Sequence, residues 1–451
     1  MTAVLFLEVD TQSEWAVASI GPAFIASYLR PHGHRVEMLR IGVDEPTGEV
    51  IARVRAKAPD LLALSLTSRQ WLRGRELVAA IRAQVDMPVI AGGLHPTFSP
   101  EEVLSRPGFD YVCLGEGEAA MLDFVTALAQ RGEKGTRRQI EPGELDNIWV
   151  RGGPRPRLRA PIEPLDRIAF LARDLLNEPP GVVHMSTQRG CPYPCTYCAA
   201  RNFDELYRDT AVYGRRRSHE NVLAELDELD SQGKLAYVIF LDDTFTLRRR
   251  WVETFCDLYG KRFGRPFSLH ARVETVDQKL LTRLAGAGCA HITYGVESGS
   301  ERIRRQVMKR PVTDERIKQT FAWTEDAGIM VTANYMMGLP GETRDDLEAT
   351  LALAEELDAA DFGYFVFYPY LGTHLFDLCR DSGYLPENYL DLPASHRKSI
   401  LKLPDLSQDD IAEFYGRFTE LREELFLKRY PGPDGSEEAV LDQVRSSAAA
   451  G

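Results

Sequence analysis

Three cysteines fall within eight residues, Cys191, Cys195 and Cys198, in the run Arg189-Gly-Cys-Pro-Tyr-Pro-Cys-Thr-Tyr-Cys. A C-x3-C-x2-C loop gathers three soft thiolates in one place, and soft thiolates select zinc or iron–sulfur clusters. A structural zinc site wants four closed tetrahedral ligands, so a fourth, such as His184, would have to be recruited. Three thiolates match a four-iron cube better: each holds one iron, and the last iron is left without a protein ligand and open to chelate a small molecule. The other four cysteines, Cys113, Cys256, Cys289 and Cys379, are scattered, and an odd total of seven reads as a metal site in a reducing compartment rather than a disulfide framework.

Further groups with chemistry to offer sit just after apolar runs. Asp242-Asp243-Thr244 closes AYVIFL, Arg272 and Glu274 lie in HARVE, Glu297-Ser298 closes ITYGV, and Gly338 opens GLPGET. An acidic pair after a strand is also a good helix N-cap, so Asp242-Asp243 has a purely local reading as well. Earlier in the chain the same positions hold small residues: Ser65 and Thr67, Gly92-Gly93 with His95, and Gly115 and Gly117 with Glu118. Without a Cβ, such turns let a flat or phosphate-bearing ligand come close to the backbone.

These residues need strands to carry them. Residues 1–130 alternate short apolar runs (VLFLEV, RVEMLRI, LLALSL, PVIAGG, YVCLGEG) with amphipathic stretches, the pattern of a parallel α/β sheet, which binds ligands at its C-terminal strand ends. Residues 131–180 lose periodicity and gain Gly, Pro and mixed charge, which reads as an interdomain crossing. From 181 to 380 six further strands, VVHMSTQ, AYVIFLDD, FSLHARVE, HITYGVES, VTANYMMG and FGYFVFYPY, each followed by helical pattern, predict a partial (β/α)6 TIM barrel. Residues 381–430 read as a short helical segment whose apolar spacing suits packing, and 431–451 as a flexible tail.

Composition narrows the classes. A formal charge of −13 argues against a phosphate-binding face, so no nucleic-acid partner is expected. The short basic run Arg215 to Arg217 reads as a solvated loop. No apolar run approaches bilayer length and the N-terminus reads as a strand rather than a signal peptide, which together with the cysteine usage predicts a cytoplasmic protein.

The cysteine spacing, the aromatic Tyr197 before the last cysteine, and the place of the loop after the first strand of the second domain resemble the radical S-adenosylmethionine (SAM) superfamily over residues 181–380. The resemblance implies a 4Fe-4S cluster on Cys191, Cys195 and Cys198. It also implies SAM bound through the cluster's open iron and reductively cleaved to a 5′-deoxyadenosyl radical that abstracts hydrogen from unactivated carbon. Carried over by position, Asp242 and Asp243 receive the SAM ammonium, Arg272 its carboxylate and Glu297 its ribose, with Tyr197, Ser298 and Gly338 beside them. The front domain resembles the Rossmann-like (flavodoxin-like) cobalamin-binding domain of one branch of this superfamily, which implies a pocket at Ser65, Thr67, Arg69, Gly92, Gly93, His95, Gly115, Gly117 and Glu118. The D-x-H-x-x-G element that supplies a histidine to cobalt is absent, and Arg69, Gln70 and Trp71 are bulky where a corrin would lie, so cobalamin is left open. The expected outcome is cobalamin-dependent C-methylation of a small natural-product-like substrate, fed by a flavodoxin, ferredoxin or dedicated reductase. The alternative is a cobalamin-independent dehydration of a vicinal diol on an aminoglycoside or sugar-like substrate. A cobalamin or redox sensor with a structural cluster has no use for the acids at the barrel mouth, and a methylthiolating enzyme on transfer RNA would need cluster-ligand cysteines in the front sheet.

Overall fold

The computed structural model describes residues 1–9, 20–130 and 139–429, and the chain divides into two compact units. Among the described residues, the first comprises those within 1–177 together with 202–213 and 391–394; the second comprises 178–201, 214–390 and 395–429. The tail expected at 431–451 lies outside the described residues.

In the first unit β1 (Ala3–Val9), β2 (Arg35–Ile41), β3 (Leu61–Ser65), β4 (Val89–Gly92), β5 (Tyr111–Cys113) and β6 (Ile148–Val150) form one sheet in the order β2-β1-β3-β4-β5-β6. The first five are parallel and follow the flavodoxin order, and β6 is antiparallel to β5. β1 is buried at six of its seven positions, as a central strand covered on both faces must be. The connecting helices are α1 (Ile20–Leu29), α2 (Thr47–Lys57), α3 (Ser68–Arg82), the short α4 (Leu94–Phe98) and α5 (Pro100–Ser105), and α6 (Glu118–Ala129). The crossing expected over 131–180 is shorter than its composition suggested. Its residues from 139 to 177 fold onto the first unit, because Ile148 and Trp149 supply an edge strand for the otherwise open β5.

In the second unit β7 (Val182–Met185) is followed by a small ribbon, β8 (Gln188–Arg189) with β9 (Arg215–Arg216). Then come β10 (Tyr237–Phe240), β11 (Phe267–Ala271), β12 (Cys289–Glu297), β13 (Met330–Met337) and β14 (Asp361–Val366), which with β7 make a six-stranded parallel sheet in the order β14-β13-β12-β11-β10-β7. All six expected strands are present and in chain order. The helices are α7 (Ala199–Tyr207), α8 (His219–Ser231), α9 (Arg249–Arg262), α10 (Gln278–Ala287), α11 (Asp314–Asp326), α12 (Arg344–Leu357), α13 (His374–Asp381) and α14 (Gln408–Arg429). α14 covers β14: Tyr364 donates to Thr419 at 2.9 Å and Phe418 stacks on it, while Arg422 pairs with Asp361. The packing role expected of this helix is what it has.

The two faces of the second sheet differ in kind. Residues such as Leu269, Ile292, Tyr294, Val331, Tyr335 and Phe362 are buried in a continuous apolar core with the helices. The alternate residues of the same strands face an inner lumen and stay partly accessible, as the strict alternation of β13 and β14 shows.

Candidate active site

The cysteine loop joins β8 to α7. Its glycine, Gly190, has φ +90°, a left-handed turn a side chain would strain, and this turn sends the chain into Cys191. Each sulfur meets a hydrogen-bonding group. Cys191 Sγ receives the backbone of Tyr193 and lies 3.8 Å from Thr244 Oγ1, Cys198 Sγ accepts Ala200 N–H at 3.5 Å, and Cys195 Sγ accepts Arg272 Nη1 at 3.1 Å. Burial pushes the Cys191 thiol up and the Cys198 thiol up to about 12, so a bound metal must displace their protons. A single zinc ion would need its sulfurs within about 4 Å of one another. No three Cys, His, Asp or Glu groups among the described residues converge on one ion in that way. Three thiolates that each accept an N–H and each hold a separate iron fit a 4Fe-4S cluster, whose sulfurs are commonly bonded by such donors.

The loop is pinned to the strand ends by charge. Tyr197 donates to Glu297 Oε1 at 3.0 Å, and Arg310 donates to the Tyr197 hydroxyl at 3.1 Å and to Glu297 Oε1 at 3.2 Å. Glu297 sits at φ +72°, a strained conformation for a non-glycine residue and one that recurs at functional sites. Arg310 is the functional residue that sequence reasoning missed; it lies outside any strand end, in Lys309-Arg310-Pro311, and nothing in its neighbours marks it.

Of the acidic pair, Asp242 is fully engaged. It accepts Thr187 N–H at 2.6 Å, Gln188 N–H at 3.0 Å, Ser186 Oγ at 3.3 Å and the Thr187 hydroxyl, and Arg216 reaches it at 3.5 Å. Asp243 has no hydrogen bond to another side chain among the described residues, and burial, with repulsion from Asp242, raises its carboxyl to about 6. The solvated reading of the basic run is therefore corrected. Arg215 and Arg217 are buried, and Arg216 lies 3.9 Å over Trp251 with burial lowering it to about 10; the partners are Asp242 for Arg216 and Glu225 at 2.7 Å for Arg217. Two carboxylates and two rings bring the run inside.

Arg272 reaches the mouth, but its Nη1 and Nη2 are taken by Cys195 and Glu274, and its guanidinium lies 3.8 Å over Tyr193. Ser298 is buried against Thr350 and caps Ser300 N–H. Gly338 has φ +79° and donates its N–H to the buried Glu342 at 2.6 Å; a Cβ there would lie 3.2 Å from Ile411 of α14.

Below the mouth the inner face of the sheet carries polar groups that the strand patterns FSLHA, HITYG and VTANY held in view as alternation. His291 bonds Thr332 at 2.8 Å. The side chains of His270, next to Thr293 in register, and Asn334, next to Gly295, make no hydrogen bond among the described residues. His270 keeps exposed surface although protein surrounds it, and that surrounding lowers its imidazole as burial does that of His291.

The strand ends of the first unit form a different kind of surface. Gly93 has φ +91°, and a Cβ on it would lie 2.8 Å from Leu66 N; Gly92 precedes it at the end of β4. Thr67 and Gln70 form a capping box that starts α3 beside Ser65. The steric objection raised by Trp71 does not hold. Trp71 is buried against His95 and Phe109 with its indole donating to Glu102, whereas Gln70 donates to Val9 C=O at the end of β1 and, like Arg69, stays partly accessible. His95 is itself turned in, bonded to Ser68 at 3.2 Å and Glu102 at 3.0 Å. Gly115 has φ +70° and Tyr207 comes against it where a Cβ would stand, and the Tyr207 hydroxyl accepts Glu116 N–H at 2.7 Å. Tyr207 stacks with Tyr213 and Tyr213 with Phe203, so residues 202–213 cover this end of β5; Gly117 and the buried Glu118 open α6 behind it.

Comparison with known proteins agrees with this division. Residues 185–354 match the radical SAM superfamily and residues 13–125 the B12 binding domain. The chain is 28% identical to "Uncharacterized methyltransferase PH0819" of Pyrococcus horikoshii, over 87% of this chain and 85% of that one. It is 27% identical to an anaerobic magnesium-protoporphyrin IX monomethyl ester cyclase of Rubrivivax gelatinosus, over 77% of this chain and 64% of that longer one. The structure of the cobalamin-dependent SAM radical enzyme OxsB, solved with aqua-cobalamin and SAM, superposes with a TM-score of 0.70 at 17% identity, covering 99% of this chain and 75% of that one, a likeness of fold. The chain is a radical SAM enzyme of the branch that carries an N-terminal B12-binding domain.

Proposed function

We propose that the protein is a methyltransferase that uses SAM radical chemistry and cobalamin to place a methyl group on an unactivated carbon of a small polar substrate. The observation that carries this is one chain holding both a three-sulfur loop with a hydrogen bond to each sulfur and a flavodoxin-order sheet that carries Gly92 and Gly93 at the end of β4, with Trp71 turned inward. When bound, the cluster supplies the electron that breaks the sulfonium carbon–sulfur bond, and cobalamin supplies a carrier for the methyl group. The chain's own residues bind and orient. Asp243 offers the SAM ammonium an acceptor, with Asp242 shaping the turn that presents it. Tyr197 and Arg310 hold Glu297 by Oε1 and leave Oε2 to the ribose hydroxyls, with Ser298 fixing the backbone beyond. Gly338 keeps the neighbouring turn narrow, and Arg272 serves the loop itself. In the lumen, His270, Thr293 and Asn334 offer neutral donors and acceptors to the far end of the substrate. Ser65, Thr67, Arg69, Gly92, Gly93, His95, Gly115, Gly117 and Glu118 build the cradle proposed for cobalamin, with His95 behind its wall.

The relative from Pyrococcus is named for methyl transfer and that from Rubrivivax for a cyclisation, so the outcome on carbon needs a direct test. Reconstituted anaerobically with iron, sulfide and cobalamin and given a chemical reductant and SAM, the protein is expected to form both 5′-deoxyadenosine and S-adenosylhomocysteine. 5′-Deoxyadenosine alone would turn the reading to the radical dehydration of a vicinal diol. In the cell a flavodoxin, ferredoxin or dedicated reductase of the cytoplasm would take the reductant's place. No helix among the described residues is long and apolar enough to cross a membrane.

A further inference from the structure

Arg272 is built as part of the cysteine loop's surroundings rather than as a free hand at the mouth. Its residue is 6% exposed, and three groups hold its guanidinium: Glu274 Oε1 at 2.6 Å, the Tyr193 ring at 3.8 Å and Cys195 Sγ at 3.1 Å. Two of the three belong to the loop itself. Its charge is paired with Glu274, as that of Arg310 is with Glu297. What it delivers to the sulfur is therefore chiefly a directed N–H, backed by a cation that the carboxylate only partly neutralises. Cys198 receives a main-chain hydrogen bond and Cys191 a main-chain one beside the neutral Thr244 hydroxyl at 3.8 Å, so among the described residues Cys195 is the cluster sulfur whose donor is a charged side chain.

We propose that Arg272 sets the reduction potential of the cluster through its N–H···Sγ bond to Cys195. The inference rests on the iron–sulfur reading of the three cysteines. Reduction adds one negative charge to the cluster and its thiolates. A donor aimed at a thiolate bonds the more electron-rich state more strongly, so it favours the reduced form and raises the potential. Glu274 acts in the opposite sense, since it withdraws part of the guanidinium's charge from the sulfur. Arg272 and Glu274 thus form an opposed pair, and the potential reports the balance between them.

The test is EPR-monitored potentiometry of the full-length, anaerobically reconstituted protein without SAM, with iron and sulfide content as a control. Arg272→Met is expected to lower the equilibrium constant for reduction about tenfold, which is 59 mV for a one-electron couple. Arg272→Lys is expected to recover part of that loss. Glu274→Gln is expected to shift the potential upward, by about threefold in the same constant. A role limited to holding the loop in shape predicts no upward shift in Glu274→Gln. The proposal is overturned if Arg272→Met carries a full cluster at the wild-type potential, or if Glu274→Gln moves downward or not at all. Should Arg272→Met take up no iron, the sign of the Glu274→Gln shift decides alone. A wild-type protein that shows no reducible four-iron signal would instead remove the iron–sulfur reading itself.

Discussion

The mouth of the second sheet and the strand ends of the first are built on opposite principles. At the mouth, side chains brought from far apart in sequence meet in buried ionic contacts: Tyr197 with Glu297 and Arg310, Asp242 with Arg216, Cys195 with Arg272. At the first sheet's strand ends the work is done by what is missing. Gly93, Gly115 and Gly117 let Leu66, Tyr207 and Ile25 come close where a Cβ would stand in the way, and His95 is used up in packing. A ligand with compact charges needs groups that point at it. A broad flat ligand needs room and backbone, which is why the two sites differ in how openly they announce themselves.

The sharpest way to break this contrast is at the cysteines. Changing any one of Cys191, Cys195 or Cys198 to Ala is expected to abolish reductive SAM cleavage after reconstitution, measured as 5′-deoxyadenosine, while cobalamin uptake persists. Retained cleavage would refute the cluster assignment. Next comes Gly93→Ala. The added Cβ lands 2.8 Å from the Leu66 amide at a positive φ, so the first unit is expected to lose about 1–3 kcal/mol and its cobalamin absorbance, with iron content unchanged. Equal cobalamin retention and thermal stability would show that the close approach of Gly93 to Leu66 is not needed.

A smaller effect is expected of Asp243. Its carboxyl is raised to about 6, so it is neutral below that pH and anionic above. The folded value exceeds the ordinary one, so burying the ionised form costs stability that a bound ammonium restores. SAM affinity, measured by equilibrium binding, should fall as the pH drops through about 6, and Asp243→Asn should bind about tenfold more weakly with a flat profile, a difference of roughly 1.4 kcal/mol. A wild-type profile as flat as that of the variant would remove Asp243 from the site. The smallest change is expected from His95→Phe. Its ring is held by Ser68 and Glu102, so the EPR spectrum of bound cobalamin in the Co(II) state should be the same in both proteins. Nitrogen splitting present in the wild type and lost in the variant would make His95 a cobalt ligand after all.

Much of this was legible in the residues. Cys191, Cys195 and Cys198 fall within eight residues and each of the six barrel strands is one unbroken run, and local spacing and alternation need no tertiary information. What escaped was set by long-range pairing. Arg215 to Arg217 resembles any exposed basic run until Asp242, Glu225 and Trp251 are seen to enclose it. The pair Asp242-Asp243 looks equivalent on paper, yet the Thr187 and Gln188 amides occupy one and leave the other. Trp71 appeared to block a pocket because its sequence position says nothing of which way α3 turns it. The folding of residues 139–177 onto the first unit depended on β5 having an unpaired edge, which no single segment reveals.

The alternation along β11 to β14 has a consequence for how such a protein can diversify. Its odd and even positions answer to different masters: one set is held by dry packing against the helices, the other stays partly accessible on the inner face. Replacing His270, Thr293 or Asn334 would therefore leave the molecule's stability nearly untouched while altering what fits inside, so new substrates can be explored from within a shell that stays constant.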